Sequence, residues 1–352
     1  MSVVPGSLLA IAERVEARLR VLLDHEATRW GQLEPELAEP FAALSSLVLS
    51  GGKRLRPAFC HWGYVAAGGC PADDVLVDAG AAFELLHAFA LFHDDVMDGS
   101  ATRRGQRTTH LSFADRHVDA SWIGEPRRFG EGVAILVGDL AFVYADQLLV
   151  GMSRNAQVIW NELRIELNIG QYLDLVGTAR SERRRASTER IARYKSGKYT
   201  VERPLHFGAA LASPTTADAL EPALSAYGLP LGDAFQLRDD MLGAFGNGSV
   251  TGKPVGDDLR EGKPTPLLAM ATERATVAQH AVLAKVGRAD LGPEDIADIQ
   301  AVLVDTGALA ALESRIDQLA RQALAALPRA PIADEARVAL AEMVHYVAWR
   351  EQ

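Results

Sequence analysis

At 352 residues the chain has length for two domains or one large one. Its composition, 48% hydrophobic and 23% charged, is that of a globular protein with a sizeable core and excludes a disordered or fibrous chain. With 36 basic and 46 acidic side chains the net charge is −10, which argues against nonspecific nucleic-acid binding but leaves room for a local basic pocket that takes phosphate.

Cys60 and Cys70 have no metal-ligand spacing and read as reduced thiols of a cytoplasmic protein. The N-terminal stretch becomes charged too early for a secretory apolar region. No uninterrupted apolar run approaches the roughly 18 residues a membrane helix needs. The best candidate, residues 79–92, carries Glu84 and His87, so a soluble protein without a membrane span is expected.

Apolar residues recur at three- and four-residue spacing, and alternating runs are scarce. Helices are predicted over 7–29, 34–50, 57–67, 74–97, 131–150, 155–177, 187–196, 200–212, 216–243, 265–286, 294–304, 307–326 and 333–349. Ser7 is the expected cap of the first, and Pro71 with Asp73 and Asp74 opens the fourth. Without repeats or a long Pro/Gly/Ser linker, residues 1–352 read as one all-α domain. Segment 112–130 reads as a surface excursion with no assigned role.

Phe83–Asp98 (FELLHAFALFHDDVMD) is a long apolar run that ends in three carboxylates. On a helix Asp94 and Asp98 are i and i+4 neighbours with Asp95 beside them, and His87 lies two turns down on nearly the same face. A hard divalent cation that also binds phosphate oxygens would compensate them; a solvated helix end is the alternative.

Three glycine-rich charged loops interrupt the helices, at 50–57, 99–110 and 246–266. In the first, Lys53 and Arg56 suit a diphosphate or a solvated turn. In the second, Arg103 and Arg104 are either salt-bridge partners of the aspartates or a second grip on phosphate. Gln236, Asp239 and Asp240 end the long helix from Thr216 and echo the first acidic cluster. Two helices presenting Asp pairs across one cavity could hold several Mg²⁺ ions against a phosphate leaving group. Gln171 and Asp174 share a helix face within an apolar stretch and need partners if buried. Lys195, Lys253 and Lys263 are phosphate clamps or ordinary surface lysines.

The ordered set GGKRLRP, ELLHAFALFHDDVMD, RRG, GQYLD, YKSGKYT, QLRDDMLGAFG and GKPVGDDLREGKPT resembles the trans-isoprenyl diphosphate synthases, or polyprenyl synthetases, from about residue 40 to 275. Its phrasing is similar to the actinobacterial short-chain branch. The resemblance implies an all-helical bundle around a central apolar cavity, usually homodimeric and cytoplasmic. It implies Mg²⁺-dependent condensation of isopentenyl diphosphate with an allylic diphosphate. Asp94, Asp95 and Asp98 match the first aspartate-rich motif, whose first and last carboxylates ligate metal, and Asp239 and Asp240 match the second; three ions with substrate bound are implied.

Lys53, Arg56, His87 and Arg104 correspond to the isopentenyl diphosphate site. Arg103, Lys195, Gln236, Lys253 and Lys263 correspond to the allylic diphosphate site, and Gln171 with Asp174 to the cavity lining. The catalytic set so implied is Asp94, Asp95, Asp98, Arg103, Lys195, Asp239, Asp240 and Lys253. Two positions depart from the family. Gly243 stands where the second motif has its third Asp, which implies weaker or rearranged metal binding, and Ser196 replaces Thr but keeps a hydroxyl for substrate.

Phe89 and Ala90, five and four residues before Asp94, correspond to the floor that limits chain growth. A bulky fifth position with a small fourth is the geranylgeranyl pattern, so geranylgeranyl diphosphate is the expected product, with farnesyl or a somewhat longer product as the alternative. A helical wheel turns Ala90, not Phe89, toward the aspartates, so this rule rests on the resemblance alone. A class I terpene cyclase is disfavoured because its Asn/Asp-x-x-Ser/Thr-x-x-x-Glu motif is absent and GGKRLRP would have no use. A non-catalytic partner subunit has only Gly243 in its favour.

Overall fold

The computed structural model describes residues 4–246, 256–288 and 290–349. Among these the all-α expectation holds. Among the described residues the only sheet is a hairpin of β1 (Thr102–Arg103) and β2 (Gln106–Arg107), with Thr102 opposite Arg107. The chain divides into two compact units, one of residues 6–61 and 70–152, the other chiefly of residues 62–69 and the chain from Ser153 on.

The first unit holds α1 (Gly6–Leu33), α2 (Ala38–Leu49), the start of α3 (Leu55–Ala66), α4 (Val75–Asp98), α5 (Thr109–Asp119) and α6 (Pro126–Leu148). Its centre is α4, which packs on α1, α2 and α6. By length and hydropathy α4 would pass for a membrane span, yet 61% of its most apolar window is buried inside the protein. Close approach explains its small residues: a β-carbon on Gly80 would stand 2.6 Å from Val15 Cγ2, and one on Gly138 of α6 would meet the His93 ring at 2.5 Å.

Glu84, buried in the middle of α4, is answered by Arg54 from the Gly-Gly loop. Arg54 donates to Glu84, to Glu16 Oε1 at 3.0 Å and to Val48 O at 2.8 Å. Burial alone would weaken the guanidinium's hold on its proton. Glu84 and Glu16 outweigh that, and its pKa is raised.

The second unit is arranged along α10 (Pro214–Phe245), with α7 (Arg154–Ala179), α8 (Arg185–Ala192), α9 (Arg203–Ala212), α11 (Asp257–Glu261), α12 (Pro266–Arg274), α13 (Val277–Leu283), α14 (Pro293–Asp305), α15 (Ala308–Ala326) and α16 (Asp334–Ala348). Ser213 caps α10 by accepting from Thr216 N–H, and Pro214 follows in the first turn, where no donor is missed. Between α8 and α9 the backbone widens into a π-helical segment, Arg193–Glu202, packed against α7 and α10. Gly170 of α7 makes that packing possible, since a β-carbon there would stand 2.6 Å from Lys195 Cα.

Three expectations are corrected. The helix predicted over 265–286 breaks at Ala275, after which Thr276 and Gln279 form a reciprocal capping box. The readable sign was Thr-x-x-Gln. The helix predicted over 187–196 gives way at Arg193 to the π segment. Segment 112–130 is mostly exposed, as a surface excursion should be, and holds the end of α5, the start of α6 and a ring cluster of His117, Trp122 and Phe129, with centroids 5.2–6.0 Å apart. Ser7 does not cap α1: it lies inside the helix, and its Oγ is buried without a partner among the described residues.

Candidate active site

The acidic end of α4 is shaped by the tight turn that succeeds it. Gly99 takes the left-handed conformation (φ 65°) and returns its N–H to Asp95 O, a glycine C-cap that turns the chain back. The β1–β2 turn then needs positive φ at both central residues, and Arg104 (φ 52°) and Gly105 (φ 74°) supply it. Glycine does so freely; an arginine there costs about 1–2 kcal/mol.

This turn sends the adjacent arginines to different partners. Arg103 donates from Nε to Asp95 Oδ1 at 2.8 Å, and from Nη2 to Asp95 Oδ1 at 2.5 Å and Asp94 Oδ2 at 3.2 Å. Arg104 Nη1 donates to Leu47 O at 2.9 Å, Ser50 Oγ at 3.0 Å and Gly51 O at 2.6 Å. Of the two readings open for the pair, Arg103 realises the ion pair with the aspartates. Arg104 instead braces the Gly-Gly loop, where Gly52 leaves space beside its Nη2.

That loop carries Lys53 and Arg56, and the arginines gather about His87. Burial lowers the His87 pKa well below 6.5, and the charges of Arg56, Arg104, Arg103 and Arg54 lower it further. The pKa of Arg104 is itself lowered, first by burial and then by Arg54, Arg103 and Arg56, with Glu84 working against them. Repulsion among cations of this kind favours an anion in their midst. Further along α4, the Phe89 ring lies 4.8 Å from Phe142 of α6 and 4.6 Å from His93. Phe89 and Ala90 are both half-buried.

In the second unit, the close approach at Gly170 sets Asp174 beside Lys195, whose Nζ lies 2.5 Å from Asp174 Oδ2. Gln171 and Ser196 follow at half-buried positions. Lys198 is engaged by Glu166, which also takes two bonds of 2.7 Å from Arg203. Burial pushes the Glu166 carboxyl up, but these cations win and its pKa is lowered. Lys198 and Arg203 thus complete a structural cluster that motif reading passed over.

At the end of α10, Gln236 Nε2 donates to Asp240 Oδ1 at 2.7 Å, while Asp240 Oδ2 is buried and has no partner among the described residues. Burial raises the Asp240 pKa well above the carboxylate range. The Gln236 bond works against this, and Asp258, Asp239 and Asp174 add to it. Asp239 is half-buried. Lys263 Nζ lies 2.7 Å from Glu261 Oε2 and 3.6 Å from Asp258 Oδ1. Lys253 lies outside the described residues.

The first unit thus brings together Asp94, Asp95 and Arg103, and beside them His87, Arg56 and Arg104. The second brings together Asp174 with Lys195, and Asp240 with Gln236. Sequence reasoning missed Arg54, Phe142 and Asp258. Arg54 and Asp258 stood in recognised motifs, GGKRLRP and DDLREGK, where neither was given a role. Among the described residues no three His, Cys, Asp or Glu side chains are already gathered as a metal cage. Mg²⁺ does not require one, since it takes one or two carboxylates with phosphate oxygens and water. An i, i+4 pair of aspartates and the buried, unpartnered oxygen of Asp240 fit that donor chemistry.

Comparison with known proteins identifies the family. Residues 38–305 match the polyprenyl synthetase family. A geranylfarnesyl diphosphate synthase of Aeropyrum pernix is 30% identical over 94% of this chain and 99% of its own. A geranylgeranyl diphosphate synthase of Mycobacterium tuberculosis is 33% identical over 80% of this chain and 76% of its own. Among solved structures, geranylgeranyl pyrophosphate synthase from Corynebacterium glutamicum, complexed with isoprenyl diphosphate and magnesium, superposes with a TM-score of 0.90 at 38% identity, covering 97% of this chain and 99% of that one. The chain belongs to the polyprenyl synthetase family and is a prenyltransferase.

Proposed function

We propose that the protein condenses isopentenyl diphosphate head-to-tail with an allylic diphosphate, in a magnesium-dependent reaction, to make geranylgeranyl diphosphate. The observation that carries this reading is the crowd of arginines about His87 immediately beside the Asp94–Asp98 helix end. Excess cations and clustered carboxylates in one unit suit two differently held diphosphates, one gripped by cations directly and one through metal.

In this reading Lys53, Arg56, Arg104 and His87 hold isopentenyl diphosphate, with the imidazole kept neutral as a hydrogen-bonding group. Asp94, Asp95, Asp98, Asp239 and Asp240 serve three Mg²⁺ ions, with Asp95 held by Arg103. When bound, magnesium supplies positive charge that stabilises the departing diphosphate. Arg103, Lys195, Gln236, Lys253 and Lys263 orient the allylic diphosphate, and preorganised positive charge at a developing anion is a large catalytic contribution. Gln171, Asp174 and Ser196 line the cavity. Fixing the isopentenyl double bond against the allylic carbon adds the advantage of proximity. The proton released on condensation passes to the departing diphosphate.

Phe89 with the small Ala90 supports the geranylgeranyl product. The extended similarity to a geranylfarnesyl synthase favours one isoprene unit more as the second reading. We further propose that residues 1–352 act as one catalytic domain in a cytoplasmic homodimer. Purified protein with Mg²⁺, isopentenyl diphosphate and, separately, dimethylallyl, geranyl or farnesyl diphosphate should yield geranylgeranyl diphosphate by mass. No elongation of any primer would overturn the proposal.

A further inference from the structure

We infer that Asp258 takes the place of the carboxylate missing from the second aspartate motif, reaching from α11 into the space that Gly243 leaves open on α10. The inference rests on the magnesium reading above and assigns it a residue outside both aspartate motifs.

A β-carbon on residue 243 would overlap Asp258 Oδ2 and would stand 2.6 Å from its Cγ and 3.4 Å from its Cβ. The space in which an aspartate at 243 would begin is therefore filled by another aspartate. Gly243 lies inside α10 with no positive φ. Glycine there sacrifices about 1 kcal/mol of helix propensity relative to alanine without any backbone need for it. Room for the Asp258 side chain is the compensating gain.

The second observation is Asp240, three residues earlier on the same helix. It is 6% exposed, and its Oδ2 has no partner among the described residues. Residue 243 lies one helical turn beyond Asp240, so the Asp258 carboxylate that fills its space and the buried Asp240 share a face of α10, which is unfavourable unless a cation joins them. Lys263 reaches Asp258 Oδ1 only at 3.6 Å and is 2.7 Å from Glu261, so it serves Glu261 first. The local fold also supports the placement. Gly256 and Gly262 bracket α11 in left-handed conformations, and Lys263 N–H returns to Asp258 O at 3.0 Å, fixing the turn that carries Asp258.

The test is Mn²⁺ binding followed by electron paramagnetic resonance, with inorganic pyrophosphate present and no turnover. Asp258→Asn, which keeps shape and removes charge, should weaken Mn²⁺ binding roughly tenfold. Gly243→Asp alone should lower the melting temperature because the two side chains compete for one space. The double variant Gly243→Asp/Asp258→Gly, with the carboxylate moved onto α10, should recover most of the lost Mn²⁺ affinity. Wild-type affinity in Asp258→Asn would overturn the inference, as would a double variant no tighter than Asp258→Asn. Failure of the wild type to bind Mn²⁺ would overturn the magnesium reading as well, which separates the two.

Discussion

Arg103 grips Asp95 through both Nε and Nη2, at 2.8 and 2.5 Å, and the same Nη2 reaches Asp94 Oδ2 at 3.2 Å. The Arg103 guanidinium thus spans two carboxylates of the motif, Asp95 and Asp94, and fixes them relative to one another. Arg103→Lys keeps the charge but not the fork that spans two carboxylates. It should lower kcat/KM about 10²- to 10³-fold, the scale of losing one preorganised electrostatic group. Steady-state kinetics with a geranyl primer check this, and wild-type kcat/KM would remove the role.

A pH effect on stability arises from His206, which is 4% exposed and lies 3.1 Å from Ser225 Oγ through Nε2. Burial, then the charge of Arg203, lowers its pKa from 6.5 to about 4. Between those values the unfolded imidazole binds a proton that the folded one refuses, so its contribution, complete above pH 6.5, is lost as pH falls. The loss between pH 6.5 and pH 5 should be about 2 kcal/mol. Urea denaturation at a series of pH values should show a shallower decline in His206→Gln; an unchanged slope would assign the acid sensitivity elsewhere.

The sequence was most legible where one local signal decided the outcome. Apolar periodicity located most helices, because each must bury a stripe, and DDVMD announced itself by placing charge at the end of such a stripe. Arg54 was illegible for the opposite reason. Beside Lys53 and Arg56 it is one more cation in a glycine loop, and only the folded position of Glu84, thirty residues on, makes it a buried strut. The π segment escaped for a related cause. Its residues suit an α-helix, and the widening accommodates close contacts that Gly170, Gly197 and Gly232 make with other elements. Asp258 was visible as a residue, yet its meaning depends on the empty side-chain position at Gly243.

Gly170 supplies a steric prediction. A β-carbon there would overlap Lys195 N and stand 2.6 Å from Lys195 Cα and from Tyr194 C, all backbone atoms that cannot swing aside as a side-chain tip can. Gly170→Ala gains helix propensity in α7 but must push the π segment away, with a net loss of about 1–3 kcal/mol. Lys195 travels with that segment, so its 2.5 Å contact with Asp174 should open. Misplacement of this order at a substrate-binding group costs about 10²-fold in turnover. Urea denaturation and kcat measured on the same preparation should fall together; intact stability with intact kcat would show that the contact is not needed.

In the proposed reading Phe89 stops the growing chain, and its ring packs against one that the motif does not contain. Phe142 of α6 meets it at 4.8 Å with a 55° tilt, and His93 meets it at 4.6 Å with a 58° tilt. Ring pairs of this geometry contribute about 0.5–1.5 kcal/mol, enough to hold one rotamer against the push of a prenyl tail. Phe89→Ala should therefore lengthen the product beyond geranylgeranyl diphosphate. Phe142→Ala, which leaves Phe89 in place but removes its support, should give a mixture shifted the same way. Ala90→Phe adds bulk one residue nearer the aspartates and should shorten the product. Mass analysis of products from a geranyl primer checks all three. If Phe142→Ala alone leaves the product unchanged, Phe89 needs no brace; if Phe89→Ala and Ala90→Phe also leave it unchanged, the floor lies elsewhere in the protein.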